Sequence, residues 1–347
     1  MLENEITFAV ETVRSAVRIC REVQAEITPG RWDKGDRTPV TVADLAVQAV
    51  VSAALAERFP HDPLMAEEGS SELREPAWAN LLASVTAHVG VVRTDHPDKS
   101  HVLDWIERGQ QAIDPARRYW VLDPVDGTKG FLRKEQYAIA LALVERGQVL
   151  LGVLACPNLP SAIGQPEQSR SSAGADPASG MGQLYAAVRG AGAERIDLGP
   201  ADAILSRRAM HVATGGDPAL AHWCERVESS DKNHDLTAQV VERIGISTPP
   251  DRLDSQAKYA VVARGDASLY LRHSLNRDYK EKVWDHAAGV LITQEAGGRV
   301  TDVTGKPLDF SQGRELSANQ GIVATNGLLH DRVLAAVHDV IVKLSSP

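Results

Sequence analysis

The residues of this sequence most able to do chemistry are acids in four separate segments. They are Asp44 in VTVADLAVQ, Glu67-Glu68 in MAEEGSS, Asp123 and Asp126 in LDPVDGTKGF, and Asp285 in KVWDHAAG. Carboxylate oxygens and backbone carbonyls are hard ligands, which suit Mg²⁺ better than Zn²⁺. The sequence offers neither an HExxH motif nor a clustered Cys/His set for zinc. The acids therefore predict a magnesium-type site, provided that the fold brings them together.

The segment DPVDGT is the most informative of the four. Pro124 fixes φ and predicts a tight turn directly after a buried strand at 119–122. Gly127 allows a second turn, from which a helix begins at Thr128. The two aspartates of the segment then flank a turn and can point into one space, with a backbone carbonyl between them.

Each acid taken alone also has an ordinary structural interpretation. Asp44 is placed like an acid in the first turn of a helix, which favours negative charge. Glu67-Glu68 fits a solvated surface, and DPVDG fits a plain β-turn. Asp285 differs, because its helical pattern is otherwise apolar and a buried acid needs a partner or a metal.

Hydrophobic spacing predicts the elements that must position these acids. In the first half, the pattern predicts helices at 4–27 and 41–59 (with Thr41 as N-cap), a short strand at 64–66, and hairpins at 137–144/149–155 and 184–188/194–198. In the second half, it predicts strands at 210–213, 268–271 and 320–324 and helices at 217–228, 235–245, 255–264, 282–296 and 327–344. Polar or small residues predict loops at 29–36 and 161–182.

These elements predict an α/β protein with two domains. Residues 1–199 form an α+β domain that carries most of the acids, and residues 200–347 form an α/β domain that carries the last one. Strand-rich and alternating halves of this kind pack as layers around apolar cores.

Composition excludes several classes of partner. A net charge of −9 over 347 residues, without a run of Lys or Arg, argues against nucleic acid. The absence of an 18-residue apolar run and the acidic N-terminus argue against a membrane span and an export signal. Cys20, Cys156 and Cys224 are far apart and fit a reducing compartment. We therefore expect a cytoplasmic protein.

The motifs together resemble those of a known family. Asp123–Thr128 is similar to the DP[IV]DGT signature of the Mg²⁺-dependent, lithium-sensitive phosphatases that include inositol monophosphatase. Glu67-Glu68 and the segment WDHAAG at 284–289 match that superfamily's other signatures in order. The resemblance implies a layered αβαβα sandwich of the inositol monophosphatase/fructose-1,6-bisphosphatase type.

Within the superfamily, the sequence most resembles the 3'(2'),5'-bisphosphate nucleotidases. The resemblance rests on DGTKGFLR at 126–133, QYAIALAL at 136–143, LDSQAKY at 253–259, and YLR at 270–272 followed by 279–289. It implies that the protein removes the 3'-phosphate of adenosine 3',5'-bisphosphate and of its sulfated precursor. An inositol phosphate or sugar phosphate phosphatase, and a sensor that binds the nucleotide without hydrolysis, remain alternatives.

The resemblance also implies roles for single residues. It implies two or three Mg²⁺ ions, held by Glu67, Asp123, the carbonyl of Val125, Asp126 and Asp285, with Glu68 close by. It implies a catalytic pair of Asp44 and Thr128, and contacts to the phosphate from the amides of Gly127, Thr128 and Lys129. For the nucleotide, it implies Ser255, Lys258 and Arg272 at the 5'-phosphate and His234 and Tyr279 near the base or ribose. Oligomeric state is left open, with a monomer allowed.

Overall fold

The structure is a computed structural model. It describes residues 2–27, 38–162, 182–227, 231–273 and 279–345. The predicted loop at 29–36 and most of the one at 161–182 lie outside the described residues.

The elements follow the predicted order closely. The α-helices of the described residues are α1 (Glu3–Glu26), α2 (Thr38–Arg58), α3 (Ala79–Val92), α4 (Lys99–Arg108), α5 (Thr128–Leu132), α6 (Asp231–Ile244), α7 (Ala257–Ala263), α8 (Ala287–Glu295) and α9 (His330–Ser345). The strands are β1 (Leu64–Ala66), β2 (Arg118–Asp126), β3 (Ala138–Glu145), β4 (Gln148–Cys156), β5 (Gln183–Val188), β6 (Gly192–Leu198), β7 (Ile204–Met210), β8 (Trp223–Glu225), β9 (Asp251–Arg252), β10 (Leu269–Arg272), β11 (Arg299–Thr301) and β12 (Ile322–Thr325).

The strands form two sheets. The first has seven strands in chain order from β1 to β7, and only its β1–β2 pair is parallel. The second has five strands in the order β11-β12-β10-β8-β9. In it β8 is parallel to both β9 and β10, whereas β12 is antiparallel to its neighbours.

Alternating side chains divide the apolar residues between layers. In β2, Trp120 and Leu122 face a core with α1 and α2, whereas Tyr119 and Val121 face a second core with α7 and α8. That second core also contains Tyr270 of β10, and a third core joins the other face of the second sheet to α6 and α9. The order of layers is helices, sheet, helices, sheet, helices, which confirms the predicted αβαβα sandwich.

Besides the strand predicted at 210–213, which the structure replaces with β7 ending at Met210, four details differ from the sequence predictions. The strand predicted at 119–122 does not end at Pro124 but continues as β2 to Asp126. A register shift between Asp123 and Asp126 leaves Pro124 without a ladder partner, which is how a strand tolerates proline. Thr41 is not an N-cap, since α2 already begins at Thr38.

The other two details concern the second half. The helix predicted at 217–228 is wrong: a single 3₁₀ turn at Pro218–Leu220 is followed by the buried strand β8. Asp285 does not lie on a helix but in the turn before α8, which begins at Ala287. The first sheet also extends to Met210, past residue 199, and the domain boundary stays a prediction.

Candidate active site

The six acids of the predicted site come from four elements. Asp44 is buried on α2, and Glu67 and Glu68 directly follow β1. Asp123 is buried inside β2, and Asp126 is its last residue. Because β1 and β2 are neighbouring parallel strands, Ala66 pairs with Leu122, so the acids that follow each of them emerge at one edge of the sheet.

The loop that carries Glu67 and Glu68 is held by its backbone. The side-chain amide of Gln48, one turn after Asp44 on α2, donates to the carbonyl of Glu68 at 2.7 Å and accepts from its N–H at 3.0 Å. Arg314 Nη2 donates to the carbonyl of Ala66 at 2.6 Å. These bonds fix the loop without using either carboxylate, which leaves both free to act as ligands.

One buried glutamine connects Asp126 with the turn that carries Asp285. The backbone N–H of Gln256 donates to Asp126 Oδ2 at 2.5 Å. Its side-chain amide donates to the carbonyl of Trp284 at 2.8 Å and accepts from the N–H of Gly289 at 3.1 Å. Gln256 therefore ties the end of β2 to both sides of Asp285.

Mutual repulsion shows that the acids form one electrostatic cluster. Burial and then the neighbouring charges of Glu68, Asp285 and Asp126 raise the pKa of Glu67 to about 7. Burial and Asp285 raise the pKa of Asp126 to about 6, against the opposing effect of Lys258.

The two most buried acids are shifted in the same direction. Burial and then Asp126, Glu67 and Asp285 raise the pKa of Asp123 well above its usual range. Burial and then Glu68 and Glu67 do the same for Asp44. A divalent cation among these groups would offset their mutual repulsion and favour the ionised carboxylates.

The donor set fits a hard cation. Asp123 Oδ1 is buried and, within the described residues, has no hydrogen-bond partner. Such an atom is costly unless something outside the protein satisfies it. The surrounding carboxylates and the buried residue Val125, which offers a carbonyl, make an oxygen-only set of the kind that Mg²⁺ prefers.

The short helix α5 starts beside this cluster. Gly127 precedes it with φ +90°, a left-handed conformation that strongly favours glycine. Gly130 lies against the carbonyl of Gln136, where an added Cβ would stand 2.0 Å from that oxygen. Thr128 is the first helical residue, as predicted, but the structure has no hydrogen bond between Thr128 and Asp44 within its described part. Their catalytic pairing stays a prediction.

An open cleft of about 300 Å³ lies in front of the acids. Nine of the predicted site residues line it: Asp126, Gly127, Thr128, Lys129, Ser255, Lys258, Arg272, Tyr279 and Asp285. Five further lining residues are not predicted from the sequence: Arg226, Asp254, Gln256, Tyr259 and Tyr270. Acids line the cleft at Asp126, Asp254 and Asp285, and cations line it at Lys129, Arg226, Lys258 and Arg272.

Two of the predicted nucleotide-binding cations are already engaged by the protein. The ammonium of buried Lys258 donates to the carbonyls of Leu253 and Ser255 at 3.1 and 2.6 Å. The guanidinium of Arg272 contacts both carboxylate oxygens of Glu281, at 2.8 and 2.6 Å. Their predicted contact with a 5'-phosphate stays a prediction.

The other three predicted substrate-binding residues differ in their position relative to the cleft. Tyr279 lines the cleft and its hydroxyl accepts from Arg272 at 3.0 Å. Ser255 lines it too, with φ +64°, a conformation in which its Oγ accepts from the N–H of Ala257. His234 is not among the lining residues: it lies on α6, with Nδ1 2.9 Å from Glu225.

The sequence did not predict the residues that orient other side chains of the site. Glu281 is an example: burial opposes its ionisation, but a hydrogen bond with His286 and the charge of Arg272 lower its pKa to about 2. Atoms of Glu281, Asp285 and His286 lie within 4.8 Å of one another, so this network adjoins a predicted metal ligand. In the sequence, Glu281 lies in a run of charged residues at 280–282, a pattern that is equally typical of an exposed surface.

Residues 1–341 match the model of the inositol monophosphatase family. The chain belongs to the inositol monophosphatase family. That family is generally metal-dependent, in agreement with the oxygen-rich cluster.

Relatives of high identity have a common name. A 3'(2'),5'-bisphosphate nucleotidase from Oryza sativa is 42% identical, with 97% of this chain and 94% of the relative covered. One from Emericella nidulans is 40% identical (98% and 99% covered), and one from Schizosaccharomyces pombe is 35% identical (96% and 94% covered). The predicted family and subgroup resemblance are confirmed.

Solved structures agree with the fold. An inositol monophosphatase from Thermotoga maritima has a TM-score of 0.61 at 20% identity, with 98% of this chain and 99% of that chain covered. One from Anabaena has a TM-score of 0.61 at 20% identity, with 97% and 96% covered. Within the described residues, no helix combines the length and apolar composition that crossing a lipid bilayer requires.

Proposed function

We propose that this protein is a phosphatase that hydrolyses the 3'-phosphate of adenosine 3',5'-bisphosphate, giving AMP and inorganic phosphate, and that it also accepts the 5'-phosphosulfate analogue. The observation that carries the proposal is the cluster of buried acids at the edge of a cleft that four cationic side chains also line. Relatives at 35–42% identity, named as nucleotidases of this type, support the same activity.

The metal would be held by the acids that repel one another in its absence. Glu67, Asp123, Asp126, Asp285 and the carbonyl of Val125 would hold two or three Mg²⁺ ions. When bound, Mg²⁺ supplies positive charge that acidifies a water molecule and offsets the charge of the phosphate.

The residues of the chain would handle the proton. Thr128 Oγ1 accepts a hydrogen bond from the attacking water and donates one to the carboxylate of Asp44, which orients the hydroxyl. The water oxygen forms a bond to phosphorus while the bond from phosphorus to the ribose 3'-oxygen breaks. The water's proton passes towards Asp44, and the 3'-oxygen takes up a proton to become a hydroxyl.

The same segment would bind the transferred phosphate. The N–H groups of Gly127, Thr128 and Lys129 lie at the beginning of α5, the positive end of the helix dipole, where backbone N–H groups can donate to phosphate oxygens. Lys258, Arg272 and Ser255 line the same cleft, and the group that is not hydrolysed would lie against them.

A substrate panel tests the proposal. Phosphate release is measured from adenosine 3',5'-bisphosphate, inositol 1-phosphate and fructose 1,6-bisphosphate, each with Mg²⁺, with EDTA, and with Mg²⁺ plus Li⁺. We expect the nucleotide to have the highest kcat/KM, EDTA to abolish release, and Li⁺ to inhibit. A preference for the inositol or sugar substrate would reassign the enzyme within its family, and tight nucleotide binding without phosphate release would indicate a sensor.

A further inference from the structure

The cleft contains a cation that no sequence motif assigns to a role. Arg226 follows directly after β8 and lines the cleft together with Lys258 and Arg272. The other two are positioned by protein acceptors, as described above. Arg226 is exposed and, within the described residues, makes neither a hydrogen bond nor an ion pair.

Glu225, the acid next to Arg226 in the chain, is already paired with other residues. Glu225 is buried and accepts from Arg252 Nε at 3.0 Å, and its other oxygen is 2.9 Å from His234 Nδ1. Successive side chains of a strand point to opposite faces. Glu225 therefore faces α6 and the sheet edge, and Arg226 is left on the cleft side.

The three cations line the same cleft, and their charges act on one another. Burial lowers the pKa of Lys258 to about 8, and the positive charges of Arg226 and Arg272 act in the same direction, opposed by Asp126. Like charges that approach one another in a cleft repel, and an anion between them would remove that cost. This wall is the part of the cleft best suited to an anionic group.

We propose that Arg226 binds the anionic group of the substrate that is not hydrolysed, and that it sets the preference for nucleosides with two phosphates over those with one. The proposal rests on the proposed function for the identity of that group. A guanidinium suits it, because its planar N–H groups can donate to two phosphate oxygens at once. Lys258 and Arg272 then shape the pocket and add charge, while Arg226 makes the contact that a substrate completes.

The kinetic test compares two substrates that differ only in the 5'-phosphate. For Arg226→Ala, we expect kcat/KM for adenosine 3',5'-bisphosphate to fall about 10–100-fold, mainly through KM, as loss of a charge-assisted hydrogen bond would predict. For adenosine 3'-phosphate, kcat/KM should change less than about threefold. Arg226→Lys should recover part of the loss, because it keeps the charge and loses the fork geometry.

Arg243→Ala is the matched control. It removes the same charge from the last turn of α6, at a residue that does not line the cleft and that pairs with the half-exposed Asp339. The ratio of kcat/KM for the two substrates should be unchanged in this control. An equal fall for both substrates in Arg226→Ala, or the same ratio as wild type, would overturn the proposal while leaving the proposed function intact.

Binding of AMP and adenosine separates the two proposals. By calorimetry, wild type should bind AMP more tightly than adenosine, and Arg226→Ala should remove most of that difference. If wild type hydrolyses neither nucleotide but shows this AMP preference, and the variant loses it, the anion site stands and the proposed function is wrong. If wild type neither hydrolyses the bisphosphate nor prefers AMP over adenosine, both are wrong.

Discussion

At the residue scale, the site concentrates negative charge that the fold alone does not neutralise. Nearby cations offset this charge only in part: Arg314 lowers the pKa of Glu67, and Lys258 and Arg272 lower that of Asp126, yet both acids remain shifted upwards. Folding these acids together therefore costs free energy, which a bound cation would repay. Activity and stability should depend on the same residues.

Replacing single ligands should abolish catalysis without unfolding the chain. We expect Asp126→Asn and Asp285→Asn each to lower kcat/KM for phosphate release more than about 100-fold, since even outer partners of metal ligands cost 10–100-fold. Circular dichroism should show a folded protein, because each change removes a repelling charge. The control is Asp331→Asn, whose side chain is 85% exposed. Near-normal turnover in both ligand variants would refute the assignment.

The stability of the metal-free protein should decrease as pH rises. Folding raises the pKa of Glu67 from 4.5 to about 7 and that of Asp126 from 3.8 to about 6. Groups with raised pKa bind more protons when folded, so their contribution is fully present near pH 4 and is lost as pH rises to 7.

Thermal unfolding in EDTA from pH 5 to 8 measures this directly. Tm should fall across the range, and saturating Mg²⁺ should restore it most at pH 8, where the acids are ionised. Asp126→Asn should flatten the dependence in EDTA. A Tm in EDTA that rises with pH in wild type would show that these acids do not control stability.

At the element scale, the sequence predicted what is local and missed what is distant. DPVDGT predicted the start of α5 correctly, because Gly127 and Thr128 determine that backbone themselves. It did not predict that β2 continues to Asp126, since the bulge depends on pairing with β3.

Remote contacts explain the other errors. The region 217–228 has helical spacing, but burial of Trp223–Glu225 between β9 and β10 overrides it. Gln48 lies in no recognised motif, and Gln256 belongs to LDSQAKY without an assigned role. The importance of both comes from bonds to segments far away in the chain. The acids could be found from the sequence, whereas the residues that hold them required the structure.

Gln256 therefore offers a test of positioning. Gln256→Ala should destabilise the fold by about 1–3 kcal/mol, because the carbonyl of Trp284 and the N–H of Gly289 lose their buried partner. It should also raise the Mg²⁺ concentration for half-maximal activity, since Asp285 lies between those two groups. Gln312→Ala on the exposed loop is the control. An unchanged Mg²⁺ requirement, with stability reduced, would make Gln256 structural only.

At the scale of the whole molecule, the distance between layers determines how Asp285 is positioned relative to Asp126. The middle helices α7 and α8 pack between the two sheets, and Asp285 lies at the start of α8 while Asp126 ends a strand of the first sheet. Hydrophobic spacing predicted the helices and strands, and the family resemblance implied the layers, but neither could predict how closely the layers approach. Gly152 of β4 contributes to that distance, because it packs closely against the backbone of α8 at Ala288.

Adding one methyl group at each of two glycines should have opposite effects. A Cβ on Gly152 would stand 2.8 Å from Ala288 Cα and 2.9 Å from its carbonyl oxygen, so Gly152→Ala must push α8 away from β4. We expect a loss of about 1–3 kcal/mol of stability and reduced phosphate release, because Asp285 moves with α8. Gly90 on α3 has nothing within 4 Å of its Cβ position, so Gly90→Ala should gain up to about 1 kcal/mol with unchanged activity. Urea unfolding and phosphate release measure both variants. Full activity in Gly152→Ala despite lower stability would show that the spacing of the layers does not control the position of Asp285.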